Sequence, residues 1–276
     1  MSTYYSDPKI SRAEKEEIDA DIRGKIEQIR VTHKRDGYRR LLHHLKRNGI
    51  KIGETKVRRI IKKFELQIVP HKKFVKTTDS NHDCLVYPNL IQEMTLDNIN
   101  QAWAGDITYI RINNGFVYLA VLLDLYSRKV IGWAISKKID GPLTLAALKM
   151  AIKNRNPPRG VIHHSDRGVQ YLSDDYIQLL TENGFHASCS AKGNPYHNAW
   201  SESFMKTLKE EEVYMGNYET YLDVVENIPQ FIDDVYNKKR LHSGLGYLPP
   251  EEFEEMIKKS YNNLDSKEIG RPKLTL

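Results

Sequence analysis

The stretch that decides the fold is WAGDITYIRINNGFVYLAVLLDLYSRKVIGWAIS, residues 103–136. Apolar and polar side chains alternate over 106–112, the period of a half-buried strand. Residues 116–124 form an apolar run and 129–136 another, too short for separate helices and rich in Val, Ile and Tyr. Asn113-Asn114-Gly115 and Tyr126-Ser127-Arg128 supply turns between them, so the spacing predicts three strands joined as an antiparallel meander. Working outward, 142–152 reads as a helix, 161–166 as a short buried strand and 173–183 as a helix opened by Ser173 ahead of Asp174 and Asp175. A fifth strand is expected over 185–190. After Lys192-Gly193-Asn194-Pro195, a long helical region is expected from about 198 to 213. Three antiparallel strands followed by helix, strand, helix, strand describe an α/β domain with a five-stranded mixed sheet and flanking helices.

Upstream, the texture is helical and basic. Ile18, Ile22, Ile26 and Ile29 predict an amphipathic helix over 13–34, and Leu41, Leu42 and Leu45 a second over 39–47. Val57, Ile60, Ile61 and Phe64 mark a third, surrounded by Lys56, Arg58, Arg59, Lys62 and Lys63. Residues 1–80 carry 21 Lys and Arg against 11 Asp and Glu, whereas the rest carries 21 against 25. A basic block joined to a mildly acidic one points to a polyanion-binding module beside a domain with another task. Three short helices with a basic last one fit a helix-turn-helix-like module; a small basic helical bundle that packs on a neighbour and touches nucleic acid only loosely is the alternative. The chain shows no apolar run of membrane-spanning length and no signal-peptide core, and its two cysteines, Cys84 and Cys189, exclude a disulfide framework. A cytosolic bacterial-type protein without membrane contact is therefore expected.

Three acids stand where chemistry would want them. Asp106 lies in the first strand among apolar neighbours, where a buried carboxylate is costly unless it binds a cation. Asp166 ends the fourth strand and Glu202 opens a helix. Each also has a purely structural reading: strand-end acid, turn former before Gly168, and helix N-terminal charge. Asp124 is assigned to the turn that follows it. His163 and His164 lack a second His or Cys pair at zinc spacing. Carboxylates without thiolate or imidazole suit Mg²⁺, and phosphodiester chemistry needs charge neutralised on both attacking and leaving oxygens.

Between Asp166 and Glu202 lie 35 residues, and Lys209 follows Glu202 by seven. With these spacings the chain resembles the DDE transposases and retroviral integrases, and more closely the OrfB-type transposases of bacterial insertion sequences. The stretches that carry the resemblance are WAGDITYI (103–110), LDLYSRKVIGW (123–133), HSDRGVQY (164–171), GNPYHNAWSESF (193–204) and YNKKRLHSGLGYLP (236–249), with GYRR (37–40) upstream. The resemblance implies a ribonuclease-H-like catalytic core preceded by a small all-helical domain. It divides the chain into a basic helical DNA-binding domain (1–67), a linker (68–100), the integrase core (101–255) and a polar tail (256–276). It further implies that Asp106, Asp166 and Glu202 are catalytic and hold two Mg²⁺ ions, with Mn²⁺ able to substitute. Lys209, Arg39, Arg40, Lys56, Arg58, Arg59, Lys62, Lys63, Lys238, Lys239 and Arg240 are expected to contact DNA.

The expected activity is nicking at transposon ends, then transfer of the freed 3′-OH to another phosphodiester. A nuclease without strand transfer and a non-catalytic DNA-binding regulator remain alternatives. Expected partners are double-stranded transposon-end and target DNA, further copies of the chain on that DNA, and a first-frame helix-turn-helix product. One position departs from the family pattern: His197 stands where many relatives carry Asp.

Overall fold

The computed structural model describes residues 11–68, 87–190 and 199–264. The chain divides into two compact units, Met1–Lys72 and Lys73–Leu276. His197 and its loop, the first half of the expected linker and the last twelve residues lie outside the described stretches.

The first unit is three helices: α1 (Arg12–Thr32), α2 (Tyr38–Arg47) and α3 (Glu54–Lys63). A reciprocal cap starts α1: the Ser11 hydroxyl accepts from the Glu14 N–H and the Glu14 carboxylate accepts from the Ser11 N–H. Ile22 and Ile26 meet Leu41, Leu45, Val57 and Ile60 in one apolar cluster. The buried stripe of α1 runs through Asp19 rather than Ile18, which is exposed. The reason is a pair of charges on α3. Arg59 and Lys63 reach the buried Asp19 carboxylate at 2.7 and 3.1 Å and tie α3 to α1.

The second unit is built on a five-stranded sheet in the order β3-β2-β1-β4-β5. Its strands are β1 (Ala102–Ile112), β2 (Gly115–Asp124), β3 (Val130–Ser136), β4 (Ile162–Ser165) and β5 (His186–Cys189). The first three are antiparallel, and β4 and β5 join parallel to β1. This is the ribonuclease-H-like order expected from the sequence. The strand β1 begins four residues before the alternating pattern, because Ala102–Gly105 pair with β4 and are buried.

The apolar run of β2 follows from burial on both faces. Its odd residues Val117, Leu119, Val121 and Leu123 pack on one side with Ile110 and with α6 (Ala199–Leu208). Its even residues Ala120 and Leu122 pack on the other with α4 (Gly141–Arg155) and α5 (Asp174–Glu182). Each such Val or Leu contributes about 1.5–3 kcal/mol on burial. The approach of α4 to β3 demands glycine at 132, where a Cβ would lie 2.4 Å from the Ala147 carbonyl oxygen.

The long helical region expected over 198–213 divides into α6 and a π-helical turn, Lys209–Val213. The short α7 (Tyr214–Gly216) and then α8 (Tyr221–Gln230) follow, and α9 (Pro250–Leu264) continues helically past residue 255. Phe253 and Ile257 of α9 join Ile91, Leu96 and Leu125 in a cluster at the sheet end. Residues 88–100 are accordingly sewn to the sheet: the Cys189 N–H donates to the Pro88 carbonyl and the Leu90 N–H to the Ser188 hydroxyl.

Asp124 closes the β2–β3 turn by accepting from the N–H groups of Tyr126 and Ser127, and it also accepts from Asn100. It is fully buried and stands 3.6 Å from the Arg155 guanidinium. That guanidinium also makes a two-pronged contact with the buried carboxylate of Glu254. Burial pushes the Asp124 carboxyl up, against the pull of Arg155. Burial works the same way on Glu254, but the Arg155 hydrogen bonds hold its carboxyl below the usual range.

Candidate active site

The parallel ladder between β1 and β4 pairs Trp103 with His163, Ala104 with His164 and Gly105 with Ser165. One step further along both strands stand Asp106 and Asp166. The sheet therefore delivers the two aspartates side by side on neighbouring strands, Asp106 within β1 and Asp166 just past the last residue of β4; neighbouring strands lie about 4.7–4.9 Å apart. Both are only partly buried, so their oxygens reach solvent at the point where β4 leaves the sheet. The Asp166 carboxylate accepts from the Gly168 N–H at 2.9 Å, which fixes the turn after β4.

Alternation along β1 places Asp106, Thr108 and Ile110 on one face. Ile110 packs there with Phe204, Met205 and Leu208 of α6. Glu202 lies in the first turn of that same helix, on its exposed side, while Ser201 and Phe204 face the core. The helix carrying Glu202 thus packs on the sheet face that carries Asp106. The three carboxylates do not form a set with ligand atoms all within 4.8 Å of one another. A two-ion site does not require one, because its ions themselves stand about 3.5–4 Å apart.

Beneath the aspartates lies a buried polar aromatic group that sequence reasoning did not assign. The Tyr176 hydroxyl and His163 Nε2 are 2.8 Å apart, and the Tyr171 ring packs edge-on against Tyr176 with centroids 5.4 Å apart. Gly105 leaves room for this group: a Cβ there would meet the Tyr171 ring at 3.0 Å and His163 Nε2 at 3.2 Å. Burial raises the Tyr171 hydroxyl well above the ordinary tyrosine value, and Tyr176, Asp106 and Asp166 push it further. The two aspartates therefore both bear on this buried hydroxyl, which makes no hydrogen bond among the described residues. The only signal in the sequence was that Tyr171 ends the HSDRGVQY stretch. Burial and the neighbouring His164 lower His163 to about 3, so it is neutral near pH 7. The His164 Nδ1 lies 2.9 Å from the Ser188 hydroxyl on β5.

The expected DNA-contacting cations fall into two groups. Lys209 opens the π-helical turn, and its ammonium lies over the Tyr109 ring of β1. Lys238 and Lys239 are exposed, Lys238 pairing with Asp234. Arg240 instead grips the Glu211 carboxylate with Nε at 2.8 Å and Nη2 at 2.9 Å. In the first unit, Arg40 Nε bonds Asp36 at 2.7 Å, and Arg59 and Lys63 serve Asp19. Arg58 stacks over Tyr38 and pairs with Glu54, and Arg39 lies against the same ring. Lys62 is exposed and Lys56 partly so. Several of these cations therefore hold the fold as well as present charge.

Comparison with known proteins gives three family matches: an HTH-like domain over residues 17–74, and integrase core domains over 97–195 and 183–250. The chain is 38% identical over 241 residues to the uncharacterized 31 kDa protein of insertion element IS600 from Shigella sonnei, covering 86% of this chain and 88% of that one. It is 35% identical over 247 residues to the transposase of insertion sequence element IS904 from Lactococcus lactis, covering 88% of this chain and 98% of that one. Among solved structures, the catalytic core domain of BIV integrase aligns with 18% identity and a TM-score of 0.44, over 59% of this chain and 99% of that one.

Proposed function

The chain belongs to the insertion-sequence transposases whose catalytic half is an integrase core, and from that membership we propose the work its residues do. It is a DDE-type DNA transposase. Asp106 and Asp166 are the paired acids of its active site, Glu202 is the third, and together they hold Mg²⁺. The observation that carries this reading is the β1–β4 register, in which Asp106 within β1 stands beside Asp166 just past the end of β4, both partly exposed.

An all-oxygen donor set of three carboxylates fits a hard cation. Bound there, two Mg²⁺ ions would activate the attacking oxygen and neutralise charge on the leaving oxygen. The protein's own contribution is placement. The sheet fixes two carboxylates, α6 brings the third from the same face, and the buried Tyr171, Tyr176 and His163 give these acids an uncharged floor. Water is the nucleophile for end nicking, and the freed 3′-OH is the nucleophile for joining. Each step breaks one P–O bond and forms another, so no covalent enzyme–DNA link is required. Serine and tyrosine side chains near the site need not attack.

Double-stranded DNA is the substrate, with the helices α1–α3 contributing an electrostatic hold through Lys56, Arg58 and Lys62. Lys209, Lys238 and Lys239 contribute further contacts from the second unit. Strand transfer joins two ends, so copies of the chain assemble on DNA. No described helix is long and apolar enough to cross a membrane. The test incubates purified protein and Mg²⁺ with labelled DNA carrying the ends of its element. Nicked 3′ ends and joined products are expected; hydrolysis with no joined product would leave a nuclease instead.

A further inference from the structure

The first unit holds a cluster of two histidines and an aspartate. His33 caps the end of α1, Asp36 sits in the turn, and His44 lies on α2. Arg40 and His44, four residues apart, share one face of α2, and Asp36 lies in the loop two residues ahead of that helix. The ligand atoms of His33, Asp36 and His44 all lie within 4.8 Å of one another. The two imidazoles stack with centroids 4.4 Å apart and planes 28° apart.

The contacts inside the cluster are incomplete. Asp36 Oδ2 and His44 Nε2 approach to 3.1 Å, yet both atoms are buried and neither makes a hydrogen bond among the described residues. Asp36 is only 2% exposed, so its second oxygen is a buried charge-bearing atom aimed at two imidazoles. Its first oxygen is held by Arg40 Nε at 2.7 Å, which orients the carboxylate. A cleft of about 430 Å³ opens beside the cluster, lined by His33, His44, Lys25, Gln28 and Asn48 among others, and supplies an entry path.

We propose that His33, Asp36 and His44 bind one divalent transition-metal ion, Zn²⁺ in first place, which staples the end of α1 to α2. Two imidazole nitrogens and one carboxylate oxygen are a zinc donor set, with water as fourth ligand. Tetrahedral bonds of about 2.0–2.1 Å place ligand atoms about 3.3 Å apart. The Asp36–His44 pair already matches this spacing, and a rotation of His33 closes the third side. Arg40 takes the role of the outer partner that fixes a ligating carboxylate. A three-helix unit of this size has a small core, so a metal staple adds stability where burial alone adds little.

The test uses the full chain, stripped with chelator and titrated with Co²⁺ and then Zn²⁺ in the absence of DNA. One Co²⁺ per chain should give the visible absorption of a tetrahedral nitrogen–oxygen site, displaced by Zn²⁺. His33→Gln and His44→Gln should each weaken uptake about tenfold or more, while Asp166→Asn leaves the band in place. Zn²⁺ should also raise the melting temperature of the unsubstituted chain but not of His33→Gln, whose position at a helix end tolerates the change. Absence of stoichiometric uptake overturns the proposal. So does uptake that survives both histidine substitutions or disappears with Asp166→Asn.

Discussion

The Lys209 ammonium lies 4.5 Å from the centroid of the Tyr109 ring, three residues along β1 from Asp106. The ring face holds the cation against β1 by a cation–π contact. The π-helical turn that begins at Lys209 re-aims the residues after α6; such turns are frequent at functional sites.

Replacing Lys209 by Ala should weaken binding to end DNA and reduce the dependence of log affinity on log salt by about 0.9, the slope of one lost duplex phosphate contact. Lys209→Arg should retain the slope. Binding measured over a salt series decides this; an unchanged slope in Lys209→Ala would remove the residue from the DNA surface.

Cations of the first unit should separate into two classes. Lys56→Ala and Lys62→Ala should lower DNA affinity with little change in stability. Arg59→Ala and Lys63→Ala should destabilise the unit as well, because each strips a partner from the buried Asp19 carboxylate. Thermal melts alongside binding curves test this, and equal stability in all four variants would contradict it.

Arg155 should be a large stability determinant far from the chemistry. Arg155→Met leaves Asp124 and Glu254 buried without their shared cation, a loss of about 3–5 kcal/mol for a broken buried pair. Denaturant unfolding of the variant gives the number; a loss below about 1 kcal/mol would mean the two carboxylates find other partners.

The buried His163 gives the core a pH dependence. Its value falls from 6.5 to about 3 on folding, so the folded state favours the neutral ring. That stability is fully present above pH 6.5 and is lost as pH falls from 6.5 toward 3, by at most about 1.4 kcal/mol per unit. His163→Gln should flatten the stability profile between pH 6.5 and 4. An unchanged slope would assign the acid loss to other groups.

Much of the catalytic unit was legible because local pattern and burial agree there. The apolar run of β2 is what burial on two faces requires, Asp106 interrupts the apolar residues of β1, and Asp166 follows the short buried strand β4. The site's floor was not legible. Tyr171 and Tyr176 come to His163 through a turn and a helix, and only the β1–β4 register brings them under Asp106. The same holds for the first unit. Along the chain Arg40, Arg59 and Lys63 read as DNA-facing cations, and nothing in the sequence pattern marks Asp36 and Asp19 as their buried partners. Burial of a charge by a partner four residues away or forty residues away leaves no periodic trace. The end of α6 is a further case, since an extra residue in one helical turn does not alter the sequence pattern that precedes it.

The most direct test of the central claim is single-site replacement of the acids in the end-DNA assay with Mg²⁺. Asp106→Asn, Asp166→Asn and Glu202→Gln should each lose both 3′-end nicking and joining while retaining DNA binding and the fold. End nicking by Glu202→Gln at the unsubstituted rate would contradict the account, because α6 would then contribute no ligand to the reaction.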